Sequence, residues 1–475
     1  MPAPFEDMRA FLAELECAGD LQHIGVPVDR EWEVGAICRE VFDRKGPALV
    51  FDRVGEFSTP LVVGMLATRE RYARALNTEP TIDGLSRPWE RAYSAPVEPV
   101  VVSDAPCREV VVEHVDYCRD PFPIPRWHAS DARYMLGTYH AVISQDPDSS
   151  WVNLGTYRSA ILEPDILGIA FAPRRHIWHH WSKWKQRGKP MPVAVAIGLD
   201  PYLALTTVSA IPPGLGDYGV AGGLKGAPIE LTKGETVDLL VPARAEIVIE
   251  GHIPTDKPHP LTDGPFGEFA GYMGGAERQR QFIETTLITH RRNPLFQGTY
   301  EARPPNESTT VRGIGGSMGL KEHLRRSGIP GVVDVCLTEG GCGSFHAVVS
   351  IKHSYVGHAR DVMSLAWGLA TVSVKHCIVV DEDIDPWNPQ QVEWAVATRV
   401  QAGRDVEIIR HSRGLPLDPS KPPSRQNETD KMGIDATRPE DEYRAEGEEF
   451  PSPADPPQEH MQRVRARWAE YGFSN

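Results

Sequence analysis

Through the middle third of this chain the apolar residues recur in short strand-like runs joined by Gly- and Pro-rich connections. Parallel strands need helical crossovers, so the pattern predicts a barrel or sandwich rather than repeated βαβ units. Segments 138–145 and 151–162 flank the turn-forming Asp146-Pro147-Asp148-Ser149-Ser150 and read as a hairpin. The runs 191–197, 206–209, 246–253 and 282–290 continue the β signal.

A chain of 475 residues exceeds what one hydrophobic core organises, so several domains are expected. Phe5, Met8, Phe11, Leu12 and Leu15, then Val34, Ile37, Cys38, Val41 and Phe42, recur at helical spacing and predict two opening helices. Short β-like runs at 48–51 and 61–65 complete an N-terminal α/β domain, placed at 1–111. The β-rich domain follows at 112–318. Alternating strands (332–337, 345–351, 372–380) and helices (358–369, 389–400) give a C-terminal α/β domain at 319–440, so the fold class is mixed α+β. Proline-rich and acidic stretches predict extended chain around 416–423 and 440–457. At 441–475 a linker leads to a final helix whose stripe of Met461, Val464, Trp468 and Tyr471 needs either its own chain or a second subunit to cover it.

Acidic residues outnumber basic ones by 65 to 50, for a net charge of −15, which disfavours a nucleic-acid partner. With no signal-peptide pattern and no apolar run of membrane-spanning length, a soluble cytoplasmic protein is expected. The seven cysteines lack C-x-x-C spacing and read as buried free thiols.

Several residues carry potential chemistry. In Asn153-Leu154-Gly155-Thr156-Tyr157-Arg158, strand alternation predicts Asn153 and Arg158 on opposite faces. An arginine in such a segment must be paired or solvated. In Asp263-Gly264-Pro265-Phe266-Gly267-Glu268, glycine and proline tighten a turn between two carboxylates. Near a guanidinium such a pair divides its work: one acid stays ionised and orients the arginine, while the other, raised in pKa, carries a proton. His176, His179 and His180 share a helix face and either bind metal or line a packed helix with Trp178, Trp181 and Trp184. Asp381-Glu382-Asp383 ends a strand without any phosphate-binding loop, and Gly313-Ile314-Gly315 begins a dinucleotide fingerprint whose third glycine is replaced by Met318.

Taken together, NLGTYR at 153–158, PVAVAIG at 192–198, VPARAEIVIEG at 241–251, DGPFGEFAGY at 263–272, YVGHA at 355–359, VVDEDID at 379–385 and KMGIDAT at 431–437 resemble, in order and spacing, the UbiD family of reversible decarboxylases. The resemblance implies prenylated FMN, with its phosphate held through manganese or magnesium and with K+ nearby. Asn153 and His176 match two ligands of the divalent ion, and Asp217 stands where the family usually places a glutamate. Arg158, Asp263 and Glu268 match the catalytic triad. Arg158, Arg175, Ser209 and Lys431 join Asn153 and His176 on the cofactor side. The implied reaction removes CO2 from an aromatic, heteroaromatic or α,β-unsaturated acid through covalent addition to the flavin, with Glu268 as proton donor. A flavin-binding, reductase-like protein without decarboxylase activity is the alternative, and a metal-dependent hydrolase using the histidines is a further rival. Phe269, Gly343, Ser344 and Ala172 are candidates for the pocket wall. The family pattern further implies a central split β-barrel like that of flavin reductases, a terminal helix reaching a partner subunit, a homodimer or hexamer of dimers, and a flavin prenyltransferase as cofactor supplier.

Overall fold

The computed structural model describes residues 4–473 except 118, 120, 121, 138, 174, 210, 212, 213, 275–279, 370–372 and 426. Cys118, Thr138 at the start of the expected hairpin, and Val372 at the start of an expected strand lie outside the described residues. The fold is mixed α+β.

Both opening helices form. Met8–Cys17 begins where the Asp7 side chain accepts the Ala10 N–H, and it buries Met8, Phe11, Leu12 and Leu15. Glu33–Asp43 buries Val34, Cys38 and Phe42. The strands Leu21–Ile24, Ala48–Phe51, Leu61–Val63 and Phe296–Gly298 make a four-stranded sheet, whose last member arrives from the far end of the central segment. One apolar cluster joins Val34, Cys38 and Phe51 to Val193, Ile249 and Ile283, so the N-terminal and central segments share a core.

The central sheet has nine strands. Its path runs from Met135–Gly137 through Ser159–Glu163, Ile166–Ile169, Gln281–His290, Ile247–Ile253, Met191–Ile197 and Ala141–Gln145 to Val152–Gly155, and Val110–Val112 pairs onto Gln281–His290. Every named pair in it is antiparallel. The path is open, with no hydrogen-bonded ring closing it among the described residues.

The C-terminal segment forms a five-stranded sheet in the order Val332–Leu337, His346–Ile351, His376–Asp381, Glu428–Ala436, Val406–Arg413. Helices His358–Gly368 and Pro389–Arg399 lie where expected. The twenty-residue helix Glu307–Arg326, begun by a capping box at Asn306, runs through position 318 and leans on Val332–Leu337. No helix of the described residues is long and apolar enough to cross a membrane.

Four expectations change. Residues 151–162 are two strands, Val152–Gly155 and Ser159–Glu163, so the alternation argument for Arg158 fails. A side chain on Gly155 would meet the Tyr157 ring at 2.5 Å, so that ring folds back over the strand end and the chain departs there. The run 206–209 is the end of the helix Pro201–Val208 and its cap: Asp200 accepts two first-turn N–H groups and Pro201 sets the first turn, which outweighs the β-branched residues. Gly313 and Gly315 lie within the helix Glu307–Arg326 and allow close packing, since a Cβ on Gly315 would meet Ser209 at 2.1 Å. The acidic 440s form the helix Glu440–Ala445 instead of extended chain.

The terminal segment is helix Gln458–Ala466 followed by a short turn at Trp468–Tyr471, and Val464, Trp468, Tyr471 and Phe473 are all exposed.

Candidate active site

The three residues Thr156, Tyr157 and Arg158 carry the chain from the end strand Val152–Gly155 to Ser159–Glu163, the second strand at the opposite end of the sheet path. Arg158 therefore sits in a crossing. Its Nε donates to Asp263 at 3.0 Å and its Nη1 to Glu268 at 3.1 Å, while the Phe266 ring centre lies 3.8 Å from the guanidinium carbon. The third nitrogen, Nη2, is buried without a hydrogen-bond partner among the described residues. The sequence places an arginine and two acids 105 and 110 positions apart, and the fold brings them together.

One guanidinium hydrogen-bonds both buried carboxylates here, and Arg280 stands 4.0 Å from the other Asp263 oxygen. Burial pushes the Glu268 carboxyl up to about 7 against the opposing pull of Arg158, with Glu301 and Asp263 raising it and Arg312 lowering it. Asp263, whose side chain is 2% exposed, holds Nε and thereby fixes the plane of the guanidinium. The arrangement provides a carboxyl group able to hold and release a proton near neutrality, and one unused guanidinium donor beside it.

A cavity of about 120 Å³ is lined by Asn153, Arg175, His176, Ser209 and Asp217, together with Gly343 and Ser344. Asn153 is buried, and its side-chain nitrogen has no hydrogen-bond partner among the described residues. Burial pushes the Asp217 carboxyl up to about 7, opposed by the Leu154 N–H that donates to it at 2.7 Å. Burial lowers the neighbouring His176, so the imidazole is neutral and available as a ligand. An amide, a neutral imidazole and a buried carboxylate on one cavity suit a divalent cation such as Mn2+ or Mg2+. No group of three or more His, Cys, Asp and Glu gathers for a metal among the described residues, and the candidate set here includes an amide.

The histidine trio divides. His180 faces inward, with Nδ1 3.0 Å from Ser144 and its pKa pushed down to about 4 by burial, and His179 packs on Trp178. Only His176 reaches the cavity. Lys431 lies elsewhere: on the strand Glu428–Ala436 it donates to the carbonyls of Trp367 and Val374 at 3.2 and 3.0 Å. Phe269 is buried, stacked on Phe345, and the Ala172 carbonyl accepts from Arg175.

Arg312 escaped the sequence reading. It lines the 120 Å³ cavity, places its guanidinium 4.4 Å from the Phe269 ring centre, and has a buried Nε without a hydrogen-bond partner among the described residues. Its position directly before Gly313 hid it inside a run read only for phosphate-binding glycines. A larger cleft of about 1220 Å³ shares Leu337 with the small cavity and is lined by Ala270, Tyr272, Phe345 and Trp387 among others.

Family models for the N-terminal, Rift-related and C-terminal domains of 3-octaprenyl-4-hydroxybenzoate carboxy-lyase match residues 12–86, 99–304 and 309–436. The chain is similar to HmfF, a UbiD-class enzyme of Pelotomaculum thermopropionicum solved in complex with FMN, at 37% identity and a TM-score of 0.81 over 91% of this chain and 94% of that one. An evolved dimeric form of HmfF in complex with prFMN matches at 35% identity and a TM-score of 0.81 over 95% and 97%. The vanillic acid decarboxylase of Sedimentibacter hydroxybenzoicus, in closed form, matches at 30% identity and a TM-score of 0.88 over 98% and 99%. With three consecutive domain matches spanning most of its length, the chain belongs to the UbiD family and is a decarboxylase, a carboxy-lyase of that class.

Proposed function

We propose that this chain removes CO2 non-oxidatively from an aromatic, heteroaromatic or α,β-unsaturated carboxylic acid, with Glu268 as proton donor, Arg158 as carboxylate-orienting cation and Asp263 as the anchor of that cation. The observation that carries the reading is the convergence of Arg158, Asp263 and Glu268 with one guanidinium nitrogen left unpaired. Loss of CO2 from an sp² carbon leaves a carbanion that no side chain stabilises, and prenylated FMN supplies the electron sink for it when bound. Arg158 presents Nη2 to the substrate carboxylate, and Glu268 delivers its proton to the carbon that loses CO2. A reductase-like protein without this activity has no use for a raised, arginine-linked carboxyl group.

Asn153, His176 and Asp217 would hold the divalent ion and, through it, the flavin phosphate, with Arg175 and Ser209 on the same wall. The 120 Å³ cavity suits that end of the cofactor, and the adjoining cleft offers room for the ring. K+ would bind close by. Lys431, tied to two carbonyls, would act on the cofactor only by changing partners.

The central sheet reads as a split β-barrel. In a flat sheet its end strand and the partner reached through Thr156–Arg158 would stand roughly 29 Å apart at ~4.8 Å per strand. The four peptide steps between Gly155 and Ser159 span at most about 14 Å, so the sheet must curl back on itself. The domain division 1–111, 112–318, 319–440 and 441–475 accompanies this reading, with the second boundary better drawn before the Asn306 cap so that no helix is cut. The exposed apolar face at Val464, Trp468 and Tyr471 supports a terminal helix that covers a partner subunit in a homodimer or a hexamer of dimers. A cytoplasmic location, with a flavin prenyltransferase as supplier, completes the proposal.

The test is mass spectrometry of the bound chromophore and metal content after coexpression with a flavin prenyltransferase, followed by a carboxylic-acid panel. Prenylated FMN with CO2 release from at least one unsaturated or aromatic acid is expected. Unmodified FMN and no CO2 release would favour the reductase-like alternative.

A further inference from the structure

Among the described residues the Glu268 side chain takes its hydrogen bond from Arg158, so its backbone decides where the carboxyl stands. That backbone is gripped from two sides. On one side the Glu268 N–H donates to the Tyr272 carbonyl at 3.0 Å and the Glu268 carbonyl accepts from Gly271 at 2.9 Å. On the other, the segment 126–132 runs along the turn. Asp131, 1% exposed, accepts the Gly267 N–H at 2.9 Å with one oxygen. Its second oxygen accepts the His128 N–H at 2.9 Å and lies 3.3 Å from that residue's Nδ1. The Ala132 N–H donates to the Pro265 carbonyl at 2.7 Å, and Arg126 donates twice to the Asp131 carbonyl at 3.1 and 2.6 Å.

The His128 ring fills the place a side chain at position 267 would need. A Cβ on Gly267 would lie 2.1 Å from it, and Tyr300 stacks on the ring at 4.8 Å and 23°. Asp131 thus uses a buried carboxylate, costly to desolvate, on the peptide immediately before the proton donor.

Resting on the decarboxylase reading above, we infer that Asp131, seconded by His128, is a positioning residue for Glu268: by holding the Gly267 peptide it fixes the distance of the Glu268 carboxyl from Arg158. Asp131 does not itself meet the substrate. Around Glu268 the charged groups are Arg158, Asp263, Glu301 and Arg312, so a shift of the carboxyl by an ångström changes its balance among all four.

The test compares Asp131→Ala, Asp131→Asn and His128→Ala in the flavin-loaded full chain. In Asp131→Ala, kcat falls on the order of 100-fold, the scale of a 1 Å misplacement, while KM and flavin occupancy stay at wild-type values. Asparagine keeps an acceptor for the Gly267 N–H and restores most of that loss. A second readout needs no turnover: the Glu268 carboxyl, followed by infrared difference titration against Glu268→Gln, moves in Asp131→Ala down toward the ordinary range of about 4.3 as water enters the loosened turn. Unchanged kcat with unchanged titration overturns the inference. Equal losses of kcat, flavin and thermal stability in the alanine and asparagine variants also overturn it, because that pattern marks a purely structural residue. Should Asp131→Ala fail to fold, His128→Ala decides: lowered kcat at full flavin occupancy supports the assignment, and unchanged kcat refutes it. If the wild type decarboxylates no acid, the functional reading falls, and the titration still judges the placement of Glu268.

Discussion

Two clusters in this molecule pair aspartate or glutamate with arginine, and they differ in how far the acids are withdrawn from solvent. At the crossing, Arg158 bridges Asp263 and Glu268, and Arg280 stands 4.0 Å from the other Asp263 oxygen. On the C-terminal sheet, Arg399 and Arg438 serve Asp381 and Asp383, with Arg399 reaching both acids at 2.8 and 2.9 Å and Arg438 reaching Asp383 at 2.7 Å. Hydrogen bonds from the two arginines hold Asp383, the more exposed acid, below the usual carboxylate range, whereas deeper burial pushes Glu268 up to about 7 against the pull of Arg158 and Arg312. Burial raises Asp381 too, but its oxygen is shared between the Arg399 guanidinium and the Arg438 N–H. The cluster nearer solvent fastens a helix to a sheet, and the more deeply buried one is left with a proton to give.

The largest effect is expected where the C-terminal cluster loses a cation. Arg399→Ala leaves two acids with one arginine and should cost about 3–5 kcal/mol of stability by urea unfolding, with kcat per folded molecule unchanged. A matching loss of kcat would erase the distinction between the clusters. Arg158→Ala should do the reverse, lowering kcat/KM about 100-fold, or ~2.7 kcal/mol, because both carboxylate orientation and the placement of Glu268 depend on it.

Next comes the pH dependence of turnover. The proton donor must be protonated, so kcat/KM should hold steady below about 6 and fall roughly tenfold per unit above 7. The smallest effect is on stability against pH, and its sign differs between the clusters. Glu268, raised in the folded state, contributes stability that is full below its unfolded value of ~4.3 and is lost as pH rises through about 7. Asp383, depressed in the folded state, contributes stability present above ~3.9 and lost as pH falls through its lower folded value. Unfolding of wild type and Glu268→Gln at pH 6 and 8 should therefore show a decline in the wild type that the glutamine variant lacks.

Much of this was readable from residue order because period two and turn chemistry are local. The helices at Met8 and Glu33, most central strands, and the acidic turn at 263–268 follow from neighbours in the chain. Arg158 was found, but for an incomplete reason: its strand ends at Gly155 because Tyr157 folds back, an event no alternation count registers. The helix Pro201–Val208 was lost to three β-branched residues although the Asp200-Pro201 start signal stood before it. The edge strand Val406–Arg413 escaped because its outward positions, including Arg410 and His411, carry the polar residues that exposed edges favour. Arg312 and Asp131 were missed for a different reason, since each acquires meaning only from what the fold brings beside it: Phe269 for one, Gly267 for the other.

The most direct measurement is decarboxylation in D2O by flavin-loaded wild type and Glu268→Gln, with product read by mass spectrometry. The wild type should release product carrying one deuterium at the carbon that lost CO2, while Glu268→Gln keeps its flavin and forms none. Labelled product from Glu268→Gln at the wild-type rate would contradict the assignment of Glu268 as proton donor, and with it the meaning given to the buried cluster.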